Sequence, residues 1–259
     1  MQRSVAYNLG FATVICVVCA VFVSSAAVSL RSRQEVNARL DMARSVLVAA
    51  GLAGDTEELT REEIEARFAS IERVVIDLET GEETDIDPAT FDQQRAASQQ
   101  STSDVAPPNP AGVQRLPHQA LVYKLVDDQG NLEALILPVH GVGLWSTLYG
   151  FLALESDLRT IRGITFYEHG ETPGLGGEVD NPRWKALWPG RKALDEQYQP
   201  EITVIKGQAG PPSEDPYRVD GLSGATITSR GVTNLLHFWL GENGYSPYLE
   251  RLRQQSEEA

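Results

Sequence analysis

The sequence predicts an α+β protein, in which a single N-terminal transmembrane helix precedes a mixed domain of antiparallel strands that ends in a pair of helices. Three observations carry this prediction. An uncharged, largely apolar segment runs from Tyr7 to Leu30. Two apolar runs of strand length, Leu121 to Val126 and Leu132 to Leu137, flank a turn signal. An apolar stripe with helical spacing extends from Val232 to Leu240.

The N-terminal segment is long enough to cross a bilayer. Its 24 residues exceed the roughly 20 that a transmembrane helix needs. A secretory signal cleaved near Ala27 is the competing interpretation. The helical spacing of Val36, Leu40, Ala43 and Leu47 continues beyond the segment without a break and favours an uncleaved anchor. We therefore expect an anchor over residues 1–33 and a domain over residues 34–259.

The charge of the chain is divided unevenly. The whole sequence holds 22 basic and 36 acidic residues, a net charge of −14, but residues 1–33 contain three arginines and no acid. The domain therefore carries −17, which makes nucleic acid an improbable partner. The two cysteines, Cys16 and Cys19, lie in the apolar segment, which excludes a disulfide framework. Counting arginines around the anchor would place the domain in the cytoplasm, since only Arg3 precedes the segment.

The first half of the domain mixes helix, strand and loop. Thr60 to Glu63 has the form of a capping box, and Ile64, Phe68 and Ile71 continue a helical stripe behind it. A strand is expected at Arg73 to Leu78. Residues 92–117 are rich in Gln, Ser and Pro, so we interpret them as an exposed loop within one domain.

The second half is predicted to hold more strands and the two closing helices. Strands are expected at Thr147 to Leu154, Gly163 to Tyr167 and Ile202 to Ile205. Gly241 is a natural end for the helix that carries the apolar stripe. Ser246 and Pro247 supply an N-cap and a first-turn proline for the last helix.

Residues 220–231, immediately before the apolar stripe, are typical of an anion site. Glycines let the backbone approach a ligand, and free N–H groups at a helix N-terminus favour a negative charge. An ordinary helix start with Thr228 or Ser229 as its N-cap is the alternative. From this segment alone the ordinary helix start is the favoured interpretation.

Two other segments indicate a ligand. Residues 168–177 hold four glycines and a proline, which is typical of a tight loop that approaches a ligand. His169 and Glu171 lie in it, but no third ligand has suitable spacing, so we expect no metal site. In residues 141–150 aromatic side chains stand among glycines, where a planar ring could stack. Core packing of Trp145 and Tyr149 is the competing explanation.

Together these segments resemble a known family: the C subunit of the bacterial sodium-translocating NADH:quinone reductase, and more widely the covalent FMN-binding domain shared with the G subunit of the Rnf electron-transport complex. The resemblance rests on three stretches: Gly143 to Ser146 followed by Tyr149 and Gly150, Phe166 to Gly176, and Asp220 to Thr226. The third matches the family's flavinylation signal.

The resemblance implies that Thr226 carries FMN through a phosphoester bond. Ser223, Gly224, Ala225 and Thr228 would surround the phosphate, with the N–H groups of residues 228–231 and the hydroxyls of Ser223 and Thr228 as donors. Other candidates for the flavin surroundings are Trp145, Glu171, Thr172, Leu175, Gly176 and Lys206.

The resemblance also implies a role and a location. The chain would relay electrons in a multi-subunit membrane complex that couples quinone reduction to sodium export. A flavin transferase would attach the FMN from FAD with a divalent metal, outside the cytoplasm, and the domain would be periplasmic at the bacterial inner membrane. A G-type Rnf protein and an anchored ligand-binding module without redox activity are the alternatives.

Overall fold

The computed structural model describes residues 4–127 and 129–258; Arg3 and Asp128, which contributed to the sequence predictions, lie outside them. The helices are α1 (Val5–Ala49), α2 (Arg61–Phe68), α3 (Gln93–Ser98), α4 (Pro182–Lys185), α5 (Thr226–Leu240) and α6 (Ser246–Glu258). The strands are β1 (Ile71–Asp77), β2 (Ser103–Val105), β3 (Arg115–Pro117), β4 (Gln119–Val126), β5 (Leu132–Val142), β6 (Thr147–Glu155), β7 (Ile161–Glu168), β8 (Thr203–Val204) and β9 (Arg218–Val219).

The chain divides into two compact units, and the boundary along the sequence falls between Met42 and Ala43. Most of the first unit is α1, whose portion Val5–Arg31 is 27 residues long and apolar enough to span a membrane. This portion fits the anchor that the sequence predicts. The last turn of α1 belongs to the second unit, where Val46 and Leu47 are fully buried.

The second unit is built on a five-stranded sheet in the order β1-β4-β5-β6-β7, in which every neighbouring pair is antiparallel. The predicted hairpin between β4 and β5 is confirmed. Its turn is held by Asp127, whose Oδ1 accepts hydrogen bonds of 2.8 Å from the N–H groups of Gln129 and Asn131. The α+β class with C-terminal helices is therefore confirmed.

Helix α5 is fixed against the sheet where β5 lacks a neighbour on one side. The pairing of β4 with β5 ends at Tyr123 opposite Ile136, whereas β5 remains paired with β6 on its other side as far as Val142. The Tyr245 hydroxyl donates to the Pro138 carbonyl at 2.6 Å, and Trp239 Nε1 donates to the His140 carbonyl at 2.7 Å. Satisfying these buried carbonyls with side chains holds the end of α5 in place.

Two predictions near the start of the domain need correction. The capping box at Thr60 and Glu63 is present, but α2 ends at Phe68, and Ile71 opens β1, where it pairs with Leu125. Sheet pairing and the β-branched residues that follow override the helical stripe here. Residues 92–117 are also not a continuous exposed loop. They contain α3, β2 and β3, and their buried apolar residues include Ala96, Ala106, Ala111 and Val113.

The strand expected at Ile202 to Ile205 is shorter than predicted. It is reduced to β8, which pairs in parallel with β9, a strand that the sequence did not indicate. The N–H of Val204 in β8 donates to the Thr233 hydroxyl of α5 at 2.9 Å, rather than to a neighbouring strand. Strand β8 therefore lies beside the helix whose N-terminus carries the predicted anion site.

Candidate functional site

Helix α5 begins at Thr226 with unsatisfied backbone donors. Its N-cap is Ala225, which has no side chain able to accept a hydrogen bond. The N–H of Ser229 bonds to the Ala225 carbonyl at 3.0 Å, whereas those of Thr226, Ile227 and Thr228 have no partner among the described residues. Such N–H groups, together with the positive end of the helix dipole, form a site for an anion.

The position of this start differs from the sequence prediction. Neither Thr228 nor Ser229 is the N-cap, because the helix begins two residues before Thr228. The N–H groups without a partner therefore belong to residues 226–228. Of the expected set 228–231 only that of Thr228 is among them, and Thr228 is fully buried. The Thr226 hydroxyl lies among them, on an exposed residue.

A cavity of about 470 Å³ opens beside Thr226. Lys206 and Gln208 line one part of it, and Ser223 and Gly224 another. Ser223 and Lys206 are both exposed, and Lys206 has no ion-pair partner in the described part of the chain. The cavity thus brings together two hydroxyl-bearing residues, Thr226 and Ser223, and the lysine Lys206. Asp220 also lines it, with Oδ1 accepting from the N–H of Ala209 at 2.9 Å.

Apolar side chains are exposed around the same helix start. Trp145 is 71% exposed, Ile227 54% and Leu175 45%, values unusual for residues of this size in a folded domain. Leu175 contacts the turn before α5. Gly224 there has φ of 72°, and a Cβ on it would lie 2.9 Å from Leu175 Cδ2. Only glycine suits both the backbone and the contact.

Glu171 connects the glycine-rich loop to two other segments. Its Oε1 accepts hydrogen bonds from the N–H groups of Leu144 at 3.0 Å, Trp145 at 2.8 Å and Ser146 at 3.3 Å. Its Oε2 accepts one from the Thr228 hydroxyl at 2.5 Å. Burial alone would raise the pKa of Glu171, but these hydrogen bonds outweigh it and hold the pKa below its ordinary value.

The structure therefore divides the predicted site residues into groups. Lys206, Ser223, Gly224 and Thr226 share the cavity. Trp145 and Thr228 meet through Glu171, and Leu175 contacts Gly224. Thr172 is exposed on the loop, where its carbonyl accepts from the N–H groups of Leu175 and Gly177, while Gly176 and Ala225 are buried. The Thr228 hydroxyl was expected to donate to the phosphate. It is instead fully buried and donates to Glu171.

Some residues of this region were not predicted from the sequence, or were predicted without a partner. His169 Nε2 lies 2.7 Å from Asp180 Oδ2, and His169 Nδ1 accepts from the N–H of Glu171 at 3.2 Å. Gln208, which lines the cavity, follows the short strand β8 in a loop rich in Gly and Pro. That composition indicates a turn, but nothing local indicates which neighbour the turn contacts.

Comparisons with known proteins match the same region. The family model described as an FMN-binding domain matches residues 143–241, which include the Trp145 turn, the glycine-rich loop and the start of α5. The C subunit of the Na(+)-translocating NADH-quinone reductase of Pseudomonas aeruginosa is 48% identical over 98% of this chain and 98% of its own. Its counterpart in Yersinia pestis is 44% identical over 97% of this chain and 94% of its own.

Solved structures agree. The crystal structure of Shewanella oneidensis NqrC is similar with a TM-score of 0.77 and 35% identity, and the match covers 85% of this chain and 99% of that one. The corresponding protein of Parabacteroides distasonis has a TM-score of 0.65 at 30% identity, covering 85% of this chain and 96% of the other. With matches of this extent along both chains, the protein belongs to the family of the C subunit of the Na(+)-translocating NADH-quinone reductase.

Proposed function

We propose that this chain is the FMN-carrying C subunit of a sodium-translocating NADH:quinone reductase, and that it relays electrons toward quinone through FMN joined to Thr226 by a phosphoester bond. One observation carries the proposal. Thr226 is exposed at a helix start where its own N–H and that of Ile227 have no partner among the described residues, and it lines a cavity. The relatives of this chain are named as C subunits of the Na(+)-translocating NADH-quinone reductase, which favours this complex over the Rnf alternative.

The residues present fit FMN. The N–H groups of Thr226 and Ile227 would hold the phosphate, and the Ser223 hydroxyl and Lys206 would add a donor and a positive charge. The exposed side chains of Trp145 and Leu175 offer apolar surface to a flavin ring. When bound, FMN would supply the electron transfer, and the protein would supply its orientation and electrostatic surroundings.

Local donors matter here because the domain is acidic. With −17 over residues 34–259, net charge gives a phosphate no help. A covalent bond prevents loss of the cofactor.

When a flavin transferase forms this bond, Thr226 Oγ would bond to the flavin-side phosphorus of FAD. The bond between the two phosphates would break, AMP would leave and the hydroxyl proton would pass to solvent.

The proposal includes a location. Helix α1 would anchor the chain in the bacterial inner membrane, and the domain would lie in the periplasm, where the transferase acts. The distribution of arginines around the anchor favours a cytoplasmic domain, but large domains are translocated largely regardless of such local charge. A membrane-impermeant protease applied to spheroplasts should therefore digest the domain, and protection would contradict the periplasmic orientation.

The electron-relay role is tested in the assembled complex. Complexes containing Thr226→Ala should lose NADH-driven quinone reduction, whereas Thr90→Ala, at an exposed threonine outside the site, should retain it. Retained reduction with the Thr226 variant would contradict the relay. A wild-type protein that carries no flavin after expression with the transferase would favour the non-redox binding module instead.

A further inference from the structure

Glu171 is a buried carboxylate whose hydrogen-bonding capacity is already used by the protein. Only 5% of the residue is exposed, and its two oxygens accept four hydrogen bonds from within the chain. No basic side chain forms an ion pair with it among the described residues. The resemblance placed Glu171 in the flavin surroundings, but both of its oxygens accept hydrogen bonds from the protein.

These hydrogen bonds join three segments that are separate in the chain. Oε1 holds the turn between β5 and β6 that carries Trp145, and Oε2 holds Thr228, the third residue of α5. The loop lies directly on this pair, because a Cβ at Gly176 would come within 2.6 Å of Thr228 Oγ1. One carboxylate therefore sets where the exposed Trp145 lies relative to the helix start that carries Thr226.

The charge of Glu171 has its own consequence. The hydrogen bonds keep the carboxylate ionised at neutral pH. It lies at the N-terminus of α5, which has no acidic residue of its own in its first turn. A buried charge is screened less than an exposed one, so its effect reaches neighbouring groups. A negative charge here would oppose the uptake of electrons by a cofactor bound at Thr226.

We propose that Glu171 is a positioning residue that clamps the Trp145 turn to the start of α5, and that its negative charge lowers the midpoint potential of the flavin. The proposal rests on the proposed attachment of FMN to Thr226. It assigns Glu171 two separable actions, one through hydrogen-bond geometry and one through charge.

Two substitutions separate these actions. In Glu171→Gln the amide oxygen can still accept from the three N–H groups and the amide nitrogen can donate to Thr228, but the charge is gone. We expect the turn to stay ordered and the midpoint potential of the loaded protein to move to a more positive value. Glu168→Gln removes an exposed carboxylate from the same loop and should give a smaller shift, because solvent screens it.

Glu171→Asp keeps the charge and shortens the reach by one methylene. In a Thr226→Ala background, which carries no flavin, hydrogen exchange at the amides of residues 144–146 should become roughly tenfold faster or more, since hydrogen bonds to a charged group are lost. In the same background Glu171→Gln should leave this exchange within about threefold of the parent protein.

Each outcome has a defined meaning. A potential in Glu171→Gln that shifts no more than in Glu168→Gln would overturn the role of charge. Unchanged amide exchange in Glu171→Asp would overturn the clamp. This measurement tests the clamp even if the Glu171→Gln variant does not fold. Absence of flavin from the wild-type protein would count against FMN at Thr226, while the exchange measurement would still test the clamp.

Discussion

The two sides of the start of α5 differ in how completely their polar groups are satisfied. On one side, Thr228 and Glu171 are buried, and the hydroxyl and both carboxylate oxygens have partners within the protein. On the other side, Thr226 and Ser223 are exposed beside a cavity, and the N–H groups of Thr226 and Ile227 have no partner in the described part of the chain. The same helix end is a rigid support on one side and a site with vacant donors on the other.

This difference shows how the fold can leave polar groups free at low cost. Unpaired N–H groups are costly when buried but tolerable when water or a ligand reaches them. The buried side supplies the geometry, through Glu171 and through Trp239, which anchors the far end of α5 to β5. The open side can then present Thr226 without contributing to stability, and substitutions on each side test this separation.

The largest effect is expected on the open side. Thr226→Ala should abolish flavin fluorescence of the denatured band in a gel after expression with the transferase. Its free energy of unfolding without flavin should change by less than about 0.5 kcal/mol, because the side chain is exposed. Urea denaturation checks the second value, and a loss of several kcal/mol would show that the open side is also structural.

The opposite result is expected on the buried side. Trp239→Ala removes a fully buried ring and the hydrogen bond to the His140 carbonyl. It should lower the free energy of unfolding by about 3–5 kcal/mol. Chemical denaturation of the wild type and the variant at fixed pH measures this loss of free energy of unfolding. A change below about 1 kcal/mol would mean that α5 does not depend on this contact for its position.

The buried side should also respond to pH through His140, whose ring centroid lies 5.4 Å from that of Tyr149 and 4.8 Å from that of Trp239. Burial lowers the pKa of His140 from 6.5 to about 4. The unfolded chain therefore binds a proton between these values and the folded chain does not. The contribution of the neutral His140 to the free energy of unfolding is present above pH 6.5. It is lost as the pH falls toward 4, by up to about 1.4 kcal/mol per pH unit.

The control for this prediction is His140→Phe, which keeps a ring between its neighbours but cannot bind a proton. The free energy of unfolding of the variant should fall less steeply between pH 6.5 and 4 than that of the wild type. Parallel curves over this range would contradict the assignment to His140.

The smallest effect is expected from Lys206, an exposed cation on the cavity. Lys206→Gln should slow flavin attachment by about two- to fivefold at low salt, which corresponds to the roughly 0.5–1 kcal/mol of an exposed charge interaction. The difference should disappear at high ionic strength. A time course of fluorescence with purified transferase measures it, and equal rates at low salt would remove Lys206 from the site.

Features that depend on local pattern were predicted well from the sequence. The strands around Asp127, the capping box at Thr60 and the helix that ends at Gly241 follow from spacing and turn chemistry, and the structure contains each of them. Ile71 was misassigned, because pairing with Leu125 is a long-range contact that overrides a helical stripe.

The site was predicted in its residues but not in its contacts. Family resemblance selected Thr226, Glu171 and Lys206, yet the partner of Glu171 is Thr228, 57 positions away, and no local pattern shows such a pair. Likewise the helix begins at Thr226 although Ala225 at the N-cap position lacks a capping side chain, so local capping chemistry does not predict this start. Tertiary contacts decide these features.

The most direct test is peptide mass mapping of the full-length protein purified after expression with the flavin transferase. We expect one FMN, less one water, on the peptide that contains Thr226, with fragmentation placing it on that hydroxyl. FMN found on another residue, or a fully unmodified Thr226 peptide, would contradict the assignment of the open side of α5 as the flavin site.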